Sequence, residues 1–346
     1  MLLKERLNNN YDFLRIFAAL CITLTHSYNL ILKNEDELLM MITGNHFDFS
    51  FVGLSIFFSI SGYLIAKSAT TSSSFKNYIW KRFLRIQPML VLVCVLSVFF
   101  IGPVFSTLNM NEYFKEKDSY TYFRNTMPLF GIQFTLPQVF TNNIAENGVN
   151  GSLWTLIVEE RLYLLLGILF LFKSYNKKIL LSLILILNIL YFFHFVFFNE
   201  NLIKYFNHGH VFFALIFLNA SALFLLDVDF SKYLKSGLIF TGIISLLVLS
   251  VFSTLEKSIH VILLPVIVNL IAHLKGFTNK AGRYGDFTYG IYAFSFPVQQ
   301  ILIATKIIKD KPLNLFFLTL LIVIPIAILT WHLMEKKMLV LKNCIK

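Results

Sequence analysis

Charge is scarce in this chain. Only 14% of its 346 residues are Asp, Glu, Lys or Arg, whereas about a quarter of a soluble domain is charged. That shortage excludes a water-soluble core under a polar shell, and the 57% apolar content and mean hydropathy of +0.69 agree. Cysteine is scarcer still. Cys21, Cys94 and Cys344 are odd in number and scattered, which excludes a disulfide framework or a cysteine metal cluster. Also missing is any long polar stretch, so no sizeable extramembrane domain fits and residues 1–346 form one membrane domain. A cleavable leader is not expected, because the first apolar run carries Asp12, Arg15 and His26.

Acidic residues are outnumbered, 19 against 30 Lys and Arg, for a net charge of +11. Such a balance suits a nucleic acid, but the basic residues sit mainly in short connections between apolar runs, where they fix membrane orientation instead. No nucleic-acid partner is expected; the lipid bilayer is.

What the chain has in abundance is apolar runs of about twenty residues, each enough for one crossing. They predict an all-α polytopic membrane bundle of about ten transmembrane helices, near 12–32, 51–67, 89–107, 153–172, 179–198, 210–226, 237–253, 259–275, 286–305 and 313–333. With the N-terminus in the cytoplasm, 19 Lys and Arg fall on that side and 9 on the other, so both termini are expected inside. The apolar segment Met127 to Phe140 holds Pro128, Gly131 and Pro137 and is read as part of a long loop that dips into the interface.

Ionisable residues inside the spans mark the chemistry, since a charge at mid-membrane costs about 2.5 to 3.5 kcal/mol and needs a partner, a cavity or a task. Arg15 and His26 lie eleven residues apart on the first helix, which is three turns with about 20° of drift, so they share a face. Asp12, one turn before Arg15, can pair with it. Arg82 and Arg85, beside Lys81, are neighbours on one helix face whose guanidinium forks suit phosphate oxygens; alone, the cluster equally suits a topology anchor at lipid headgroups. Glu159, Glu160 and Arg161 cannot all face lipid, so at least one carboxylate should turn inward. Ser59, Ser61 and Gly62 in FFSISGY suit close packing more than nucleophilic attack. His208 and His210, two apart, are read as loop residues rather than metal ligands, and no metal is expected.

These residues, taken in order, resemble the membrane acyltransferase-3 family of bacterial envelope glycan O-acyltransferases, and the resemblance runs nearly end to end. Tyr11 to His26 is similar to the family's first helix, FFSISGYLI to its second-helix signature, and KRFLRIQP, Lys81 to Pro88, to its Arg-x-x-Arg element. SLWTLIVEERLY, Ser152 to Tyr163, resembles its Trp-Ser-Leu-x-x-Glu stretch, with Glu159 as the family glutamate. FTYGIYAFSFPV, Phe287 to Val298, resembles its penultimate span, with Ser295 where histidine is common. Glu335 matches a closing glutamate, and Arg161 stands where the family often has an uncharged residue.

The resemblance implies transfer of an acetyl group from cytoplasmic acetyl-CoA to a hydroxyl of an envelope carbohydrate, lipid-linked or free, by an enzyme of the bacterial cytoplasmic (inner) membrane; acetyl-CoA is substrate, and no bound cofactor is implied. His26 is the expected general base and Glu159 the group that orients it. Arg15, Arg82 and Arg85 are expected to hold the donor, with Asp12, Trp154, Tyr163, Ser61, Tyr289 and Tyr292 in support. The 108–150 loop is expected to shape acceptor choice. The rival class is a transporter or flippase, which also lines its path with intramembrane Arg, His and Glu. Its usual internal repeat is absent from the sequence, however, and the ionisable motifs bunch in the first four spans.

Overall fold

A computed structural model describes residues 9–145, 148–171, 177–197, 208–251, 256–308 and 310–344. Among these residues the protein is all-helical, with no β-strand and one isolated bridge between Ser106 and Val139. Ten helices of seventeen or more residues follow one another: α1 Tyr11–Asn29, α2 Phe49–Thr71, α3 Phe75–Leu96, α4 Trp154–Leu171, α5 Lys177–Phe197, α6 His208–Leu225, α7 Leu234–Val251, α8 Glu256–Ala272, α9 Thr288–Ala304 and α10 Pro312–Thr330. Each coincides with one of the apolar runs, because Leu, Ile and Phe repeat there over many turns. Pro88, Pro265, Pro297 and Pro325 sit inside helices, a placement that neighbouring helices in a membrane bundle tolerate.

Among the described residues, four segments are long and apolar enough to cross a bilayer: Phe49–Thr71, Phe75–Phe105, Lys177–His194 and Pro312–Val340. Two of them depart from the sequence expectation. Instead of starting near 89, α3 begins at Phe75, and it continues through a widened turn at Ser97–Ile101 to Phe105. Its 31 residues span about 46 Å against a hydrocarbon core of about 30 Å, so the basic first turns need not enter hydrocarbon. Hydropathy registers only the apolar part of such a helix. Likewise α10 runs on through a widened turn at Trp331–Glu335 to Val340. His208 and His210 belong to α6 rather than to a loop.

The chain packs as two compact units. The first is built from the described residues within Met1–Arg15, Leu54–Tyr78 and Arg161–Tyr284. Its helices are joined by polar contacts inside an apolar bundle: Asn188 and Asn219 exchange amide hydrogen bonds of 2.8 and 2.9 Å between α5 and α6, and Asn219 also donates to the Val261 carbonyl of α8. Gly62 brings α2 against α6 so closely that a β-carbon there would lie 2.1 Å from the Phe217 carbonyl oxygen. Ser221 donates to the Gly62 carbonyl at the same crossing. Asn10 and Tyr11 fasten the start of α1 to the end of α8, through the Leu274 carbonyl at 2.7 Å and Asn269 at 2.8 Å. The outer face of α5 leaves Ile179, Leu183, Leu185, Ile186 and Leu190 exposed, an apolar surface of the kind a bilayer covers.

The second unit comprises Ile16–Gly53, Ile79–Glu160 and Gly285–Lys346. Its centre is α9, of whose residues nearly all are buried, packed on α10 where Gly290 meets Ala327. Residues 110–130 fold into short helices, the expected loop stays irregular from 131 to 145, and both pack over a hydrophobic cluster of Val98, Tyr113, Tyr122, Val139, Phe140 and Val149. Asn109 and Glu112 start one of these helices with a reciprocal capping box.

Candidate active site

The site is assembled around α9. Residues 292, 295, 296 and 299 recur at helical spacing and so share one face, and that face holds α1. Ser295, standing where the family often has histidine, receives a hydrogen bond of 3.0 Å from Thr23. Gln299 donates to the Thr23 carbonyl at 2.9 Å and to Ser27 at 2.7 Å. Phe296 meets the His26 ring edge-on, with centroids 5.1 Å apart. Three contacts within one turn of His26 therefore fix the rotation of α1 about its axis.

The hydrogen-bond partner of His26 is Ser152, whose Oγ lies 3.3 Å from Nε2. Ser152 sits in the tight turn Gly151–Leu153 that opens into α4, and it is 2% exposed. Every polar group around it is tied down. Its N–H donates to Asn150 Oδ1 at 3.2 Å, and Asn150 in turn donates to the Ala293 carbonyl of α9 at 2.9 Å. Its carbonyl accepts from the Tyr292 hydroxyl, which also lies 2.6 Å from Thr155 Oγ1. Gly151 is required where it stands, since a β-carbon would come within 2.6 Å of the Phe296 ring. The serine is thus held in a hydrogen-bonded turn, while His26 remains partly exposed.

The charged run on α4 divides as a helix dictates. Glu160 is buried, accepting from Gln87 and from the Leu129 N–H, both at 2.7 Å; Glu159 is partly exposed and Arg161 exposed. Glu160 is therefore the inward carboxylate, and it ties α3 and the 128–130 turn to α4. Glu159 lies close enough to Tyr289 and Tyr292 for its charge to act on both phenols. The hydrogen-bond contact at His26 Nε2 is made by Ser152.

The basic cluster lies inside α3. Arg85 Nη2 is 2.6 Å from Oδ2 of Asp286, a carboxylate only 1% exposed that also accepts from the Thr288 N–H at the start of α9. Arg85 is therefore a structural ion-pair partner as well as a candidate donor contact. Tyr289 donates to the Ile86 carbonyl at 3.2 Å, one turn further along α9. Glu335, 4% exposed, belongs to the same unit.

Other expected residues lie in the first unit. Arg15 pairs with Asp12 at 3.7 Å, Ser61 precedes the close-packed Gly62, and the Tyr163 carbonyl accepts from Tyr78 at 2.8 Å. In the second unit, Trp154 opens α4, partly exposed. The structure thus brings His26, Tyr292 and the turn before Trp154 together. It adds Ser152, Asn150, Thr155, Gln299 and Asp286, which sequence reasoning passed over. A signal existed only for Ser152, the first residue of the SLWTLIVEE motif; the others are ordinary polar residues whose partners are far away in sequence.

Apolar helices of membrane-crossing length and a partly exposed histidine paired with a buried serine define a helical membrane protein with a polar site inside it. The chain belongs to the acyltransferase-3 family and is an acyltransferase: the profile described as an acyltransferase domain matches residues 8–332, through both units. It is 29% identical to the O-acetyl transferase of Shigella phage Sf6, over 96% of each chain. It is also similar to nodulation protein 10 of Rhizobium leguminosarum bv. viciae, 33% identical over 46% of this chain and 44% of that one, and to the peptidoglycan O-acetyltransferase OatA of Listeria monocytogenes, 30% identical over 42% of this chain and 25% of that one. No solved structure matches the chain.

Proposed function

We propose that the protein is a ten-span enzyme of the bacterial cytoplasmic membrane, both termini inside, that moves an acetyl group from cytoplasmic acetyl-CoA to a hydroxyl of an envelope carbohydrate. The observation that carries this reading is the imidazole of His26 held through Nε2 by the buried hydroxyl of Ser152 at 3.3 Å. Ser152 is 2% exposed, and it acts as a positioning residue for the imidazole. With Nε2–H directed at Ser152, Nδ1 keeps the lone pair, since the bond made by one ring nitrogen decides the state of the other.

The reaction then balances on one histidine. The acceptor O–H gives its proton to Nδ1 as its oxygen bonds to the thioester carbonyl carbon. The tetrahedral adduct breaks its C–S bond, and the departing coenzyme A thiolate takes the proton back from the imidazolium. The products are an O-acetyl ester, free coenzyme A and neutral His26. Proton transfer of this kind contributes about 10² to 10⁴ in rate. Arg82 and Arg85 contact the anionic portion of acetyl-CoA, and Arg15, at the cytoplasmic end of α1, is a further candidate for that role. Glu159, with Tyr289 and Tyr292, sets the field beside the turn that holds Ser152.

Ser152→Ala tests this assignment. Acetyl transfer to membrane glycan should fall about tenfold to a hundredfold in kcat, with both KM values nearly unchanged, an altered pH profile and partial recovery in Ser152→Thr. An unchanged kcat and pH profile in normally inserted Ser152→Ala would remove Ser152 from the mechanism.

A further inference from the structure

A cavity of about 470 Å³ lies in the second unit, walled by the end of the α3 continuation, by residues 140–144 and by the end of α9 with the residues after it. We infer that this cavity is the subsite that anchors the acceptor glycan; the inference rests on the acyltransferase mechanism proposed above and adds to it where the acceptor is gripped.

Its lining has the chemistry of a sugar site. Phe105, partly exposed, forms one wall and is backed by the buried Phe140, their rings 5.3 Å apart and inclined by 39°; its ring offers an apolar face of the kind that covers the C–H side of a pyranose. Around them stand Thr107, Thr141 and Asn142, uncharged and exposed, whose side chains hydrogen-bond to no other group among the described residues. Such groups donate and accept, which is what sugar hydroxyls require. The cavity's one cation among its lining residues is Lys306. A site for a nucleotide would gather several cations, and a site for a lipid chain would carry no polar rim. An apolar floor with a few convergent hydrogen-bonding groups is the usual anatomy of a small-ligand site.

The cavity is also built rather than incidental. Phe140 and Lys306, both lining it, adopt left-handed backbone, with φ of 59° and 57°, a conformation that non-glycine residues keep only where the surroundings enforce it. Asn143 is bound by Gln300 of α9 through the backbone carbonyl at 3.0 Å and the side-chain oxygen at 2.8 Å. Gln300 then donates to the Gly148 carbonyl at 2.7 Å, two residues before Asn150, which holds Ser152. One row of hydrogen bonds along α9 thus registers the cavity against His26. The distance suits an extended acceptor: Ile303, which lines the cavity, follows Phe296, which touches His26, by seven residues on the same helix, or about 10 Å along one face. An oligosaccharide seated on Phe105 reaches His26 with a neighbouring sugar unit.

The test uses the full-length protein in membranes, radiolabelled acetyl-CoA, and as acceptor the producing cell's own membrane glycan stripped of acetyl esters by mild base. Asn142→Trp and Thr141→Trp fill the cavity from its exposed rim, where they do not threaten the fold. Each should raise the KM for glycan about tenfold or more while the KM for acetyl-CoA stays within twofold. An unaltered glycan KM in both variants, with wild type active, overturns the cavity assignment alone. Absence of any labelled glycan with wild-type protein overturns the transferase mechanism and the cavity with it.

Discussion

His26→Ala should reduce acetylation of the membrane glycan by about 10² to 10⁴, the contribution of a positioned general base, with the protein inserted and folded as before. The loss should appear in kcat, because the ring is argued to act only once both substrates are in place. The fold is expected to survive since α1 is held to α9 by other contacts, the Thr23–Ser295 and Gln299–Ser27 hydrogen bonds, and since the imidazole is partly exposed. His26→Gln offers an amide but no titratable lone pair, so it should be equally inactive. Glycan acetylation at wild-type level in either variant, measured as base-labile label per mole of inserted protein, contradicts the base assignment.

Arg85→Ala should act on stability before it acts on donor binding. Asp286 is 1% exposed and lies 2.6 Å from the guanidinium; removing the arginine leaves a buried carboxylate without that partner, a loss of about 3 to 5 kcal/mol when one side of a buried pair is deleted. The double variant Arg85→Ala with Asp286→Asn should recover much of this loss, because the uncompensated charge is gone. Arg82→Ala is the control, a neighbouring arginine removed with the Arg85–Asp286 pair kept. Thermal unfolding of the four proteins in detergent decides the matter. Equal midpoints for wild type and Arg85→Ala would mean that the ion pair contributes nothing, and would return Arg85 to a purely surface role.

Much of the fold was legible because ten apolar runs become ten long helices. What hydropathy missed was helix that outruns the bilayer: residues 75–88 are helical but rich in Lys, Arg and Gln, so the start of α3 was placed fourteen residues late. The short helices between α3 and α4 were hidden for a different reason. Their stability comes from a buried cluster joining Tyr113 to Val139 and Val149, a set of contacts without periodicity in sequence.

Within the site, His26 was legible because an imidazole deep in a span has to be explained. Its partner was not, since a serine at the head of a helix ordinarily serves as a cap, and Glu159 offered a more conspicuous candidate. Asp286 shows the limit most plainly: an acid just before a span carries no signal until Arg85, 201 positions earlier, is seen beside it.

The central claim is that acetyl carbon leaves coenzyme A and becomes an ester on an envelope carbohydrate. Purified protein in liposomes with deacetylated membrane glycan and acetyl-labelled acetyl-CoA tests this directly, by following label into a base-labile sugar ester and counting the free thiol released. The expected result is one thiol for each ester formed. Label that crosses the bilayer or stays on coenzyme A, with no ester and no thiol, contradicts it.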